Sequence, residues 1–524
     1  MPIPQPAATA EQYRTLLAKF TLGSPIAEDD DLLGDSRIET PAFGELVRDE
    51  IDIIRGTKGS GKSALYRIFT NFLSTHLLSD MRILLIKGVE ATGDPVFAKY
   101  RPQFEQLDEI DFQNFWRIYF LSLINNQLLR DATRAKLFDH AKREVKRYLD
   151  LAAKNAFPVL ESPLSQPGLV AWVLSKLPRP KRIKVEGGIK PENGAPYGTV
   201  EIERDSSNPS VDDTDRTPVF ISELNEVLVA ALEKADLKIW LMLDRLDEVF
   251  ERRSPIERLA LRGLLRTTMS FRTPTLRPKI FLRDDIFDSV TEGGFVAMSH
   301  IKSRVSGTLN WSKEQMLHLI VKRIVANSQI RRFYGVDTER VEADPTYREG
   351  VFYAVFPERI HSGKNQSTTM DWLFKHCEDG NGVVTPRDLI DLVTYAVRDQ
   401  KETPRTAGGP TLLLPASIRN GYIRMCQEKK TTILKAEFGH FWRHFERFEG
   451  KKAEHTPASL KDLLGNNWQE VANNLRSIGF LRYNAKAQSY TVPYIYRHCL
   501  NMRQGKAGAP SRAGKRVKPR RGNG

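Results

Sequence analysis

Residues 56–63 read Gly56-Thr57-Lys58-Gly59-Ser60-Gly61-Lys62-Ser63. Glycines at the first, fourth and sixth positions let backbone N–H groups turn inward with no Cβ in the way, which makes a cradle for an oxyanion. The spacing is that of a phosphate-binding loop. Lys62 is placed to reach the β- and γ-phosphates of ATP, and Ser63 offers its hydroxyl to Mg²⁺. The strand-like IDII (51–54) comes before the loop and an apolar-periodic run (62–78) after it, so a helix start adds its positive dipole end. The plain alternative is a glycine turn that holds no anion.

A second constellation is KIWLMLDRLDE (238–248), an apolar run that ends in acids. Asp244, at the end of the expected strand, is suited to hold Mg²⁺ through its water shell. Asp247 and Glu248 follow one turn later, and either can polarise an attacking water. Glu248 is the first choice because its longer side chain reaches further. Alternatively both acids cap the next helix while Arg245 pairs at the surface. KIFLRDD (279–285) brings Arg283 to the tip of a further strand. A cation there can sense the γ-phosphate or stabilise charge developing in transfer; the competing reading is an ion pair with Asp284 or Asp285. In GNGVVTPRDLIDLV (380–393), Thr385 reads as an N-cap and Pro386 as the first helical residue. Arg387 then points at the phosphates if this helix folds over them, or simply decorates an exposed helix start.

These residues need a scaffold of the α/β class. Strands are expected at 47–54, 82–88, 238–243 and 279–283. Helices are expected at 62–78, 115–129, 133–156, 221–235 and 255–271. This pattern predicts a P-loop core over 46–310, a parallel sheet with helices on both faces, preceded by an N-terminal segment (1–45). The Pro-, Gly- and Ser-rich stretch 157–217 reads as an insertion: a hairpin of RIKVEGG (182–188) and YGTVEIE (197–203), plus a loop. A helical lid is expected over 311–400 and a linker over 401–415. The module 416–500 contains two helices around Gly465 and then a hairpin, the rhythm of a winged helix. Its second helix offers Arg476 beside Asn473 and Asn474, a sparse base-reading surface, so DNA and protein ligands both stay open.

GTKGSGKS, LMLDRLDE, KIFLRDD and TPRDLIDL together resemble bacterial P-loop ATPases of the AAA+/STAND-like group, those with a GxKGxGKS loop in particular. LNWSKEQMLHLIVKRI (309–324) looks like the first lid segment of that group. The resemblance covers roughly residues 35–400 and the winged helix. It implies an ATPase core with an added strand between the two Walker motifs, a helical lid, and nucleotide-dependent oligomerisation or switching. It also implies a sensor-one role for Arg283, a sensor-two role for Arg387, and a setting in defence or DNA maintenance. The DRLDE acids and the 157–217 insertion depart from the group's pattern.

Composition bounds the alternatives. The chain has 524 residues, 40% of them hydrophobic, and a net charge of +14. Three well-separated cysteines exclude a disulfide scaffold, and no histidine spacing suits a metal. No basic segment leads into an apolar one at the start, and no run reaches ~18 apolar residues; a cytoplasmic protein without a membrane partner is expected. Eight cations and no acid lie in 503–524, so 501–524 reads as a disordered basic tail able to dock on nucleic acid. The expected activity is Mg²⁺-dependent ATP hydrolysis that controls the C-terminal module, with a homo-oligomer or protein partner in play. The alternative is a slow or non-hydrolysing nucleotide switch that regulates DNA. Arg252, Arg253 and Arg304 are equal candidates for an arginine finger acting in trans.

Overall fold

The computed structural model describes residues 8–73, 82–88, 100–132, 140–159, 166–177, 180–189, 196–204, 221–248, 254–295, 298–363 and 365–507. They form two compact units. One comprises residues 41–58 and 62–309; the other comprises residues up to 40, Gly59–Gly61, and the chain from Asn310 onward.

The first unit is built on a five-stranded sheet: β1 (Ile53–Gly56), β2 (Ile83–Lys87), β3 (Lys238–Leu243), β4 (Leu276–Arg283) and β5 (Val305–Thr308). Every pairing is parallel and the order is β2-β3-β4-β1-β5. β4 therefore stands between the strand that leads into the glycine loop and the strand that ends in Asp244, which is the added strand expected above. Side chains alternate across a strand, and both faces here are covered. Ile239, Leu241, Leu243, Ile280 and Leu282 join one core with α2 (Glu109–Ala132), α3 (Ile221–Ala235), α4 (Pro255–Ser270) and α5 (Asp284–Thr291). On the other face Trp240 meets Phe69, and Phe281 meets Tyr66, from the segment after the loop. Trp116, Tyr119 and Trp240 are fully buried. At about 1.5–3 kcal/mol for each large apolar side chain removed from water, these layers and not the glycine loop hold the sheet together.

Several boundaries differ from expectation. The strand expected at 47–54 starts only at Ile53, because Pro41–Val47 is helical and Asp49 adopts φ 57°, which breaks extended structure. Asp49 and Asp52 then take up the buried Lys279 ammonium, and both also pair with Arg304. Arg304 is thereby committed within its own chain, while Arg252 and Arg253 lie outside the described residues. The helix after the loop is α1 (Lys62–Arg67) followed by a π-helical turn, Ile68–Leu73. In the 157–217 region, Pro180–Ile189 pairs antiparallel with Pro196–Arg204; the loop expected beyond it lies outside the described residues.

The second unit shares one core from its N-terminal residues to its last helices. The N-terminal stretch is not separate: Ala10–Lys19 forms a helix with a Thr9/Gln12 capping box, Tyr13 donates to the Gly409 carbonyl at 2.8 Å, and Asp30 pairs with the buried Arg323 at 2.5 Å. The expected 401–415 linker is packed chain, with Leu412 and Leu413 fully buried and the Leu413 N–H bonded to the Val355 carbonyl. Helices α6 (Lys313–Ala326), α7 (Pro386–Glu402) and α8 (Pro415–Lys429) lead to β6 (Lys452–His455), α9 (Pro457–Leu464), α10 (Trp468–Ser477), β7 (Arg482–Asn484) and β8 (Ser489–Thr491). The β7–β8 hairpin pairs through β8 with β6. The basic tail is corrected at its start: Arg503–Lys506 is a strand, β9, parallel to β6. Residues 508–524 lie outside the described set.

Candidate phosphate-binding site

In the sheet unit the glycine loop leaves β1 at Gly56, which is in register with Arg283 on β4. Parallel pairing thus puts the loop's first residue level with the expected phosphate sensor. Thr57 Oγ1 is buried without a hydrogen-bond partner, while Lys58 is exposed. Lys62 is only half-exposed: its ammonium donates to the carbonyls of Gly56 at 2.8 Å and Thr57 at 2.9 Å. Ser63, on the first turn of α1, hydrogen-bonds Asp244 at the tip of β3. Asp244 is 4% exposed. Burial pushes its carboxyl up to about 6, against the opposing pull of the Ser63 hydroxyl, the Arg245 N–H and the Lys62 charge. A hydroxyl and a carboxylate in contact are the hard oxygen donors that Mg²⁺ accepts, with substrate phosphates and water completing its shell. Among the described residues no cluster of three or more His, Cys, Asp or Glu could hold a metal.

Arg245 adopts φ 58° directly after Asp244, a left-handed bend that few side chains tolerate. It sharpens the turn into the short 3₁₀ helix Leu246–Glu248. Glu248 is about half exposed and lies 3.7 Å from Arg245. The Asp247 backbone belongs to that turn; its side chain is outside the described set. Arg283 makes a bidentate pair with Asp285, both contacts at 3.0 Å. Of the two roles considered for it, the ion pair is the one formed here.

In the second unit, Gly59 and Gly61 have φ values of 83° and 101°, conformations that glycine alone enters without strain. A Cβ on Gly59 would stand 3.1 Å from Arg387 Cβ and 3.2 Å from Thr385 Oγ1. Thr385 caps α7 by accepting from the Asp388 N–H, so Arg387 sits in the first helical turn as expected. Its Nε is buried without a hydrogen-bond partner. Ser60 is 1% exposed and its hydroxyl also lacks a partner, while its carbonyl accepts from Trp311 Nε1 at 2.8 Å. Buried polar atoms without partners are uncommon, and binding sites are one place where they persist.

Two features were not anticipated. Trp311, one residue before the Ser312 cap of α6, braces the loop; a lone tryptophan ahead of a helix carries no such signal. Arg55, inside β1, holds Asp284 and Asp288 at 3.1 and 2.7 Å. A cation in an otherwise apolar buried strand was the available clue.

No family model matches the chain. The transposon gamma-delta 80.3 kDa protein of Escherichia coli (strain K12) is 26% identical over 307 residues, which is 58% of this chain and 39% of that protein. The chain therefore spans about two-fifths of that relative's length. Among solved structures, the Aeropyrum pernix ORC2 protein in ADPNP–ADP complexes aligns over 90% of this chain and 97% of its own, with a TM-score of 0.35 and 12% identity. The sheet order and the position of the loop define a P-loop core by themselves. Among the described residues no helix is long and apolar enough to cross a membrane.

Proposed function

We propose that this protein binds ATP with Mg²⁺ and hydrolyses it, and that the nucleotide state controls the C-terminal module. The observation that carries this reading is the loop itself: an inward-bonded lysine, the partnerless buried hydroxyl of Thr57, and a Ser63–Asp244 oxygen pair at the head of α1. Backbone N–H groups of Gly56–Ser63 hold the phosphates and Lys62 exchanges its carbonyl partners for phosphate oxygens. Ser63 and Asp244 hold Mg²⁺, whose chemistry is to neutralise charge on the β- and γ-phosphates. Glu248 or Asp247 orients water, Arg283 leaves Asp285 to sense the γ-phosphate, and Arg387 acts as the lid cation. The helix pair α9–α10 with its hairpin serves as a winged helix that docks on nucleic acid or a protein partner, aided by the basic tail; assembly into a homo-oligomer is a further part of this reading. The transposon name of the E. coli relative fits a setting in mobile-element defence or DNA maintenance.

The test is ATP binding and turnover in wild type and Lys62→Ala. Charge-assisted hydrogen bonds of about 1.5–3 kcal/mol predict a loss of affinity of about 10- to 100-fold. Unchanged affinity in the variant would defeat the phosphate-loop reading. A slow or non-hydrolysing switch is the second reading, favoured by the exposure of Glu248 and its proximity to Arg245. Tight binding with turnover no faster than in Glu248→Gln would establish it.

A further inference from the structure

Strand β4 ends at Arg283, and the helix that follows it, Asp284–Thr291, opens on two acids that behave differently. Asp285 is occupied by Arg283. Asp284 turns into the protein, its side chain 16% exposed, and its Oδ1 accepts from Arg55 Nε at 3.1 Å and from the Thr308 hydroxyl at 3.0 Å. Arg55 is itself fixed by Asp288 at 2.7 Å and by the Phe287 ring, 4.2 Å away. Asp284 Oδ2 is buried and has no hydrogen-bond partner among the described residues. The Lys62 ammonium is near enough to act on this carboxylate, and the adjacent Arg283 is in register with Gly56 at the mouth of the loop. A buried acceptor left unsatisfied costs about 1–3 kcal/mol. Here the carboxylate that carries that oxygen is fixed by a cation and a hydroxyl on its partner oxygen.

We propose that Asp284 Oδ2 accepts a hydrogen bond from the water that attacks the γ-phosphate and takes its proton, a catalytic role that rests on the ATPase reading above. The water oxygen forms a bond to Pγ. The bond from Pγ to the bridging oxygen breaks, and its electron pair leaves with ADP. The water proton passes to Asp284 and then to the released phosphate, so ADP and inorganic phosphate account for every atom. Arg55 and Thr308 are positioning residues for this carboxylate. Glu248, half-exposed and close to Arg245, is the weaker candidate for the same proton.

The experiment measures ADP and ATP affinity, single-turnover hydrolysis and thermal midpoint for wild type, Asp284→Asn, Asp284→Glu and Asp288→Asn. Asp284→Asn should keep its nucleotide affinity within about threefold and lose about 10²–10⁴ in hydrolysis rate, the usual worth of a general base. Asp288→Asn, which loosens the same arginine, should stay within a few-fold of wild type. Wild-type turnover in Asp284→Asn would overturn the assignment, as would equal losses in Asp284→Asn and Asp288→Asn, which would reduce Asp284 to a structural clamp. If the asparagine variant does not fold, full turnover in Asp284→Glu, whose carboxylate is displaced by one methylene, would overturn it instead. Failure of the underlying reading looks different: folded wild type would neither bind nor hydrolyse ATP.

Discussion

Lys62 illustrates how a residue's role differs from its exposure. The GKS triplet marks it as a cation that would reach out to phosphates. The ammonium is instead folded back on the Gly56 and Thr57 carbonyls. On the proposed reading phosphate competes with those two bonds, and removing Lys62 also leaves two carbonyls without that donor. A histidine gives a sharper residue-scale prediction. His376 stacks on Trp372 with centroids 3.8 Å apart, and its Nδ1 lies 2.7 Å from the Trp372 carbonyl oxygen. Burial, helped by Arg497 and Lys375, lowers its pKa from about 6.5 to about 4. The unfolded chain therefore takes up this proton first as pH falls, so stability drops through the window from pH 6.5 to pH 4. Relative to His376→Gln, wild type should lose up to about 3 kcal/mol across that window. Urea titrations of both proteins at pH 7, 5.5 and 4 would read the difference, since carboxylates common to both cancel; a gap independent of pH would contradict the argument.

At the scale of elements, one close helix contact is made by a glycine. A Cβ on Gly421 in α8 would stand 2.5 Å from the Leu392 carbonyl oxygen and 2.6 Å from the Ala396 nitrogen of α7. Both neighbours are helix backbone, which cannot rotate away as a side chain can. Gly421→Ala should therefore separate the helices and cost about 1–3 kcal/mol, the range for overpacking. Thermal denaturation would show it as a lowered midpoint; an unchanged or raised midpoint would mean the helices part freely. The substitution is silent in any sequence-based view, where Ala improves a helix. This packing also explains why 401–415 is no linker: Gln400 on α7 accepts from the Leu414 N–H, closing the connection onto the core.

At the scale of the whole molecule, charge placement sets the expected partner. Arg503 and Lys506 belong to β9, so the outlying cations are the six at Arg512, Lys515, Arg516, Lys518, Arg520 and Arg521. Each phosphate neutralised on duplex DNA contributes about −0.9 to the slope of log affinity against log salt. Truncation after Ala507, which spares the strand, should flatten that slope by up to about 5 units, and by about half that if only some cations engage together. Fluorescence anisotropy with a short duplex from low to moderate salt is the measurement. An unchanged slope removes the tail from nucleic-acid binding. The absence of any binding by the full chain at low salt leaves protein docking as the role of the C-terminal module, a reading that agrees with Arg476 lying over the Tyr483 ring at 5.2 Å.

Local rules were enough for the strand–glycine loop–helix order at 53–67, the strand before Asp244, the capped start of α7 and the antiparallel pair in the 157–217 region. In each case the signal is a spacing, a cap or an alternation carried by neighbours in the chain. Those same rules could not say that Arg283 pairs with Asp285 while Asp284 turns inward toward Arg55 and Thr308. They could not say that Arg304 is held by Asp49 and Asp52, or that residues 8–40 share a core with helices beyond residue 310. Those outcomes depend on which charges a parallel sheet brings level, and on which apolar faces find one another across hundreds of residues. Register and burial arise only when distant segments pack, so tertiary structure alone decides them.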